Sequence, residues 1–208
     1  MPANALEWDI RHGETGKRGP AEPAAIVGEW LPLLPNGPAL DLACGTGRHT
    51  LLLAGRGQLV TAMDWSAVAL EILEKRAQQA NLRVRRVDGE ALAAENGDHE
   101  IRLIQADLEQ IRLPTESFDL ILCIQYLQRS LFPQISKALR PGGVLLFETF
   151  TKEQLRFAQG PRNPAHLLEP GELRTAFPQL QALFYRELSA GQGIASLVAR
   201  KPPRSSGR

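Results

Sequence analysis

The chain has 208 residues, enough for one domain with a sizeable core, whereas two full domains would leave each half small. Its 24 Lys and Arg stand against 23 Asp and Glu, a balance that gives no electrostatic footprint for nucleic acid or an anionic membrane and makes a small molecule the expected partner. Cys44 and Cys123 form no CxxC pair or secreted-type framework, the N-terminus lacks the apolar core of a signal peptide, and no apolar run approaches the roughly 20 residues of a membrane span; a cytoplasmic protein is expected.

Residues 1–22 are polar and carry Gly13, Gly16, Gly19 and Pro20, which reads as a mobile lead-in. From Pro23 to Leu34, Ile26, Val27, Trp30 and Leu34 share one helical face, with Pro32 loosening the last turn. An alternating series follows: strand 39–43, helix 47–56, strand 58–63, helix 66–80, strand 101–105, strand 118–124, helix 130–139 and strand 143–149. Strands interleaved with helices pair in parallel through right-handed crossovers, so the expected fold is α/β, a doubly wound Rossmann-like and mostly parallel seven-stranded sheet. "ALFYREL" (182–188) and "ASLVARK" (195–201) are joined by a link too short for a crossover helix, so they should close the sheet as a C-terminal antiparallel hairpin. Between Leu82 and Gln105 two runs compete for the third parallel strand, "RVRRV" and "IRLIQ". The second is favoured because a short loop and the next strand follow it, which leaves the first as a hairpin arm or insertion. The expected organisation is an N-terminal segment over 1–22, one domain over 23–201 and a disordered tail over 202–208.

The stretch "ALDLACGTGRHT" (39–50) places Gly45 and Gly47 after an apolar run, where bare backbone N–H groups can meet a nucleotide-like ligand. A dinucleotide fingerprint wants a third glycine, absent after Gly47, and the lysine of a P-loop is absent too. "LDLACGTGRHT", "VTAMDWS" (60–66), "IQADLEQIRLPTESFDLILCI" (104–124) and "ALRPGGVLLFETF" (138–150) together resemble the class I S-adenosylmethionine-dependent methyltransferases, a likeness that covers roughly residues 8–200.

That cofactor is zwitterionic at its methionine end, cationic at sulfur, and carries ribose hydroxyls and an adenine ring, so its site needs carboxylates, close backbone and an apolar slot. Gly45 and Gly47, with Ala43 in the same turn, allow backbone approach. Asp41 can support the ammonium end directly or through water, and Asp64 can take both ribose hydroxyls. Trp65 would lie on the adenine face; by the resemblance Asp107 would accept from the adenine amino group with Leu108 packed nearby, although Asp88 competes for that role. Ile124, Gln125 and Tyr126 end the fourth strand beside the transferring methyl. All of these fall at the carboxyl ends of strands, where open α/β sheets bind ligands.

A sulfonium methyl is already activated, so catalysis should rest on proximity and alignment, with a base needed only for an acceptor that arrives protonated. Tyr126, Arg129 and His12 are the candidate catalytic residues, with Tyr126 preferred for its place at the strand end. His12, His49, His99 and His166 show no metal-ligand spacing, so no metal is expected. The opening "WDIRHGE" resembles small bacterial tellurite-resistance and thiopurine-type methyltransferases, whose Trp-Asp segment folds over the cofactor; by that likeness Trp8, Asp9 and Arg11 or His12 would close the site. The likeness implies a small thiol or chalcogen acceptor, and the irregular stretch 149–173 is expected to act as a lid. The rival reading is a catalytically silent S-adenosylmethionine-binding protein. A monomer or homodimer is expected.

Overall fold

The computed structural model describes residues 5–16, 21–87 and 100–204. Eight strands form one sheet: β1 (Ala39–Leu42), β2 (Val60–Asp64), β3 (Arg83–Arg86), β4 (Glu100–Gln105), β5 (Phe118–Ile124), β6 (Leu139–Phe150), β7 (Gln181–Leu188) and β8 (Ile194–Arg200), in the spatial order β3-β4-β2-β1-β5-β6-β8-β7. The first six run in parallel, and β8 inserts antiparallel between β6 and β7. This is the expected doubly wound sheet with its C-terminal hairpin, carrying eight strands where seven were expected.

The central strands are apolar without alternation because both faces of the sheet are covered. On one face α2 (Ala25–Trp30), α3 (Arg48–Ala54) and α4 (Ala67–Gln79) bring Ile26, Val27, Leu53, Leu70 and Leu73 onto Val60, Leu103, Leu122 and Leu146. On the other, α5 (Phe132–Ala138) and α6 (Glu172–Thr175) pack on Leu40, Ile121 and Phe147, with the rings of Phe132, Phe147 and Phe177 meeting edge-on or tilted at centroid distances of 4.9–5.7 Å. Helix α2 tightens to a 3-10 turn at Leu31–Leu33, where Pro32 was expected to loosen it.

"IRLIQ" is the strand beside β2, as expected. "RVRR" is neither hairpin arm nor insertion but a parallel edge strand, with Arg83 beside Glu100. The reason is directional: α4 carries the chain back to the end of the sheet where β2 began, so the strand that follows runs the same way as β2. Its side chains are mostly exposed and charged, with Arg85 paired to Glu100 and Arg86 to Glu74, a composition that discourages edge-to-edge pairing.

The lead-in also differs from expectation, because Ala5–Gly16 is a helix, α1, packed against α4. Trp8 and His12, one turn apart, stack at 5.7 Å, and Arg11 lies over the Trp8 ring. A lone 12-residue helix is marginal in water, so its docking on α4 supplies what composition could not reveal. Residues 1–4 and 17–20 of the lead-in lie outside the described residues, as do Asp88 with most of the 83–100 stretch and residues 205–208 of the tail. No described helix is long and apolar enough to cross a membrane.

Candidate active site

The carboxyl ends of β1, β2, β4, β5 and β6 converge on the turn between β1 and α3. There Gly45 (φ +54°) and Gly47 (φ +87°) are left-handed, and a Cβ on Gly47 would come within 2.1 Å of Leu73. Glycine at 47 therefore serves both the turn and the seating of α4. Ala43 holds φ +53° in the same turn although it carries a Cβ.

Asp64 ends β2 beneath this turn. Its Oδ2 accepts from the Gly45 N–H at 2.8 Å and its Oδ1 from the Ser66 N–H at 2.9 Å, so the carboxylate is aimed at the turn, each oxygen keeping a lone pair for a further donor. Ser66 caps α4 by accepting from the Ala69 N–H at 3.0 Å. Its own hydroxyl donates to Asp9 Oδ1 of α1, which also accepts from the Val68 N–H at 3.2 Å. Through that latch α1 lies across the site: a Cβ on Gly45 would meet His12 at 3.3 Å. Burial holds the His12 pKa below its ordinary value, against the pull of Asp64, so the ring is neutral at neutral pH.

Asp41 is 1% exposed and accepts from the Thr50 hydroxyl at 2.6 Å. Burial raises its pKa to about 6, which Thr50 and Arg48 oppose. Trp65 is half-buried, its carbonyl accepting from the Gln105 side chain. Asp107 follows β4 and folds onto its own turn, accepting from the Glu109 N–H at 3.0 Å and the Gln110 amide at 2.8 Å, while Leu108 belongs to the core.

At the end of β5, Ile124 is buried, and Gln125 is left-handed (φ +59°), its N–H donating to the Glu148 carbonyl at 2.7 Å. A non-glycine residue held in that region is strain of the kind that gathers at functional sites. Tyr126 is half-buried, and burial pushes its pKa up, so the phenol keeps its proton and is suited to donate a hydrogen bond. Arg129 makes two hydrogen bonds to Glu172, at 2.6 and 2.8 Å, and two more to the carbonyls of Ala165 and Leu167. Its guanidinium thus fastens the stretch after β6. That stretch, expected as a lid, is also sewn down by a bridge between Thr151 and Leu168 and by the fully buried Leu167 and Leu168.

Three polar residues here escaped the sequence reading. Arg48, at the start of α3, donates to Gln125 Oε1 at 3.0 Å and lies within the electrostatic reach of Asp41 and Glu148. Glu148 is 7% exposed near the end of β6, and Arg186 stands on β7. The one signal for Glu148 was an acid closing the apolar run "GGVLLFE". Cys44 and Cys123 are buried, and burial raises both thiol pKa values, which leaves them inert. His49 is buried, and its Nε2 accepts from the Ala24 N–H at 3.1 Å, a fastening between α3 and the start of α2. Among the described residues no three His, Cys, Asp or Glu side chains gather in a metal-holding group.

Residues 40–147 match the family model described as "Methyltransferase domain". Among curated proteins, the chain is 34% identical over 121 residues to the malonyl-[acyl-carrier protein] O-methyltransferase of Enterobacter lignolyticus, covering 56% of this chain and 40% of that one. It is 29% identical over 118 residues to the ubiquinone biosynthesis O-methyltransferase of Pasteurella multocida, covering 54% and 46%. The chain thus spans less than half the length of these relatives. Among solved structures, TehB from Haemophilus influenzae superposes with a TM-score of 0.68 at 18% identity, over 86% of this chain and 62% of that one, which is a likeness of fold.

Proposed function

The chain belongs to the methyltransferase-domain family, and from that premise we propose that it transfers the methyl group of S-adenosylmethionine to a small-molecule acceptor. The observation that carries this reading is the left-handed glycine turn with the Asp64 carboxylate aimed at it from β2. A turn bare of side chains, a strand-end carboxylate with spare lone pairs and the half-buried Trp65 ring suit backbone approach, ribose hydroxyls and adenine respectively. Gly45, Gly47 and Ala43 would hold the methionine end with Asp41 behind them, Asp64 the ribose, and Trp65, Asp107 and Leu108 the adenine side. Ile124, Gln125 and Tyr126 would border the methyl. The cofactor supplies an electrophilic methyl on a sulfonium; the chain aligns an acceptor with it and excludes water.

Residues 23–201 form the catalytic domain in this reading, and residues 1–22 close over the cofactor through Trp8, Asp9 and His12. His12, neutral and stacked on Trp8, shields the glycine turn; Tyr126 donates to the acceptor; Arg129 holds the stretch after β6 beside it. For the acceptor we propose a small thiol or chalcogen compound, supported by the likeness of "WDIRHGE" to tellurite-resistance-type enzymes; the O-methyltransferase names of the relatives set hydroxyl compounds beside it. The setting proposed is cytoplasmic, with no nucleic-acid or membrane partner, as monomer or homodimer.

Calorimetric titration with S-adenosylhomocysteine tests the reading, with Asp64→Ala and NAD as controls. Saturable binding near micromolar, about −8 kcal/mol, lost in the variant and absent for NAD, is the expected result. Absence of binding to the wild type, or equal binding by the variant, overturns it. Binding without turnover of any thiol, selenol, tellurite or hydroxyl acceptor would favour the silent cofactor-binding protein instead.

A further inference from the structure

The last row of side chains that β5 shares with β6, β8 and β7 on the face under α2 and α3 changes character. One level down, Leu122, Leu146, Val198 and Phe184 lie side by side on β5, β6, β8 and β7, all apolar. At the next level the same four strands carry Ile124, Glu148, Ser196 and Arg186, again in register. Glu148 Oε2 accepts from the Ser196 hydroxyl at 2.7 Å; Oε1 has no hydrogen bond among the described residues and is not sealed from solvent. Arg186 Nε is buried without a hydrogen-bond partner, although its Nη1 reaches Glu29 of α2 at 3.8 Å.

A carboxylate this buried is costly, and a sheet core has no use for it where apolar neighbours would pack as well. Its placement is telling: Glu148 pairs across the sheet with Ile124, and its carbonyl holds the strained Gln125 whose side chain Arg48 grips. It stands one strand from the place assigned to the transferring methyl.

Resting on the proposed methyl transfer, we propose that Glu148 is the general base of this site and that the acceptor therefore arrives as a protonated X–H group. Glu148 Oε1 takes the proton while the lone pair of X forms the new X–C bond. The electron pair of the breaking C–S bond returns to sulfur, leaving a neutral thioether, and the proton passes from Glu148 to water. Ser196 fixes the carboxylate's orientation. The charges facing it are Arg186 on β7 and Arg48 on α3, which favour its ionised form, and Glu29 on α2, which opposes it. Burial outweighs the arginines, and the carboxyl pKa sits above its ordinary value, which makes Glu148 a better base than an exposed carboxylate.

The test uses the full chain and two probe acceptors: phenol, protonated at neutral pH, and 4-nitrothiophenol, ionised there. Wild type, Glu148→Gln and Arg186→Gln are first titrated with S-adenosylhomocysteine. Equal binding by all three keeps the cofactor reading and the fold intact, so a failure there is separable from a failure of this proposal. Phenol is then titrated calorimetrically into the S-adenosylhomocysteine complex, and transfer to both probes is followed with labelled S-adenosylmethionine. The expected result is phenol binding weakened in Glu148→Gln, transfer to phenol reduced about 100-fold or more, and transfer to the thiolate within about 2-fold of wild type. The acid limb of the phenol rate profile should move to higher pH in Arg186→Gln, which loses a charge that favours the carboxylate. Equal losses on both probes, an unchanged acid limb in Glu148→Gln, or a wild type that binds S-adenosylhomocysteine but neither binds nor methylates phenol overturns the proposal.

Discussion

Ala43 holds φ +53° in the turn where Gly45 and Gly47 share the left-handed region, and for an alanine that conformation costs about 1–2 kcal/mol. Ala43→Gly removes the strain and adds chain entropy to the unfolded state, so a net gain of about 0.5–1 kcal/mol is expected in urea melts. A loss would mean that the methyl's packing against the core outweighs the strain. Gly47 is the reverse case: Gly47→Ala brings both a disfavoured φ and a 2.1 Å approach to Leu73, an expected cost of about 2–4 kcal/mol in the same melts. Both glycines and Asp64 were legible in the sequence because a turn between strand and helix is local. The roles of Arg48 and Glu148 were not, since each depends on neighbours from other elements, Gln125 for one and Ser196 and Arg186 for the other.

Besides its packing on α4, helix α1 is tied to the start of that helix by the carboxylate of Asp9, which accepts from the Ser66 hydroxyl and the Val68 N–H. Asp9→Ala removes that latch, and hydrogen exchange should show residues 5–16 losing protection while the sheet keeps its own; unchanged protection would place the docking energy in the packing of α1 on α4, where Gly13 lies against Val68. At the other end of the site Arg129 ties the stretch after β6 through two bonds to Glu172 and two to carbonyls. Arg129→Ala should cost about 1–2 kcal/mol of stability and open 152–172 to proteolysis, the exposed setting keeping the figure modest. Most elements read correctly from apolar spacing. The exceptions were α1, formed by docking rather than propensity, and the direction of β3, set by the crossover through α4 and invisible in a four-residue run.

At the scale of the whole molecule, two buried groups shape the response to acid. His49 is neutral in the fold, with burial lowering its pKa from 6.5 to about 3, so its contribution is present above pH 6.5 and lost as pH falls toward 3. Asp41, raised from 3.8 to about 6, has the opposite sign: its protonated form is favoured by folding, and that contribution is lost as pH rises from 3.8 through 6. Each slope is about 1.4 kcal/mol per pH unit, so between pH 4 and 6 the two offset one another. In Asp41→Asn the offset disappears, and urea melts should show stability falling by about 1.4 kcal/mol per unit from pH 6 to 4, against a nearly flat wild type from these two groups. A flat profile in the variant would mean that His49 titrates in the fold near its ordinary value.

The sequence by itself determined the layered α/β class, the hairpin at one edge, the strand beside β2, and the glycine turn with its following acid, because apolar periodicity and turn chemistry act between residues close in the chain. Only the tertiary structure decided that α1 lies over the turn, that Arg129 braces the stretch after β6, and that Arg48, Gln125, Glu148, Ser196 and Arg186 gather along one end of the sheet. Those neighbours are set by strand order and register, and β8 inserting between β6 and β7 is what brings Ser196 to Glu148. A long-range pairing of that kind leaves no periodic trace in the chain, since its energy comes from contacts that exist only once the sheet has closed.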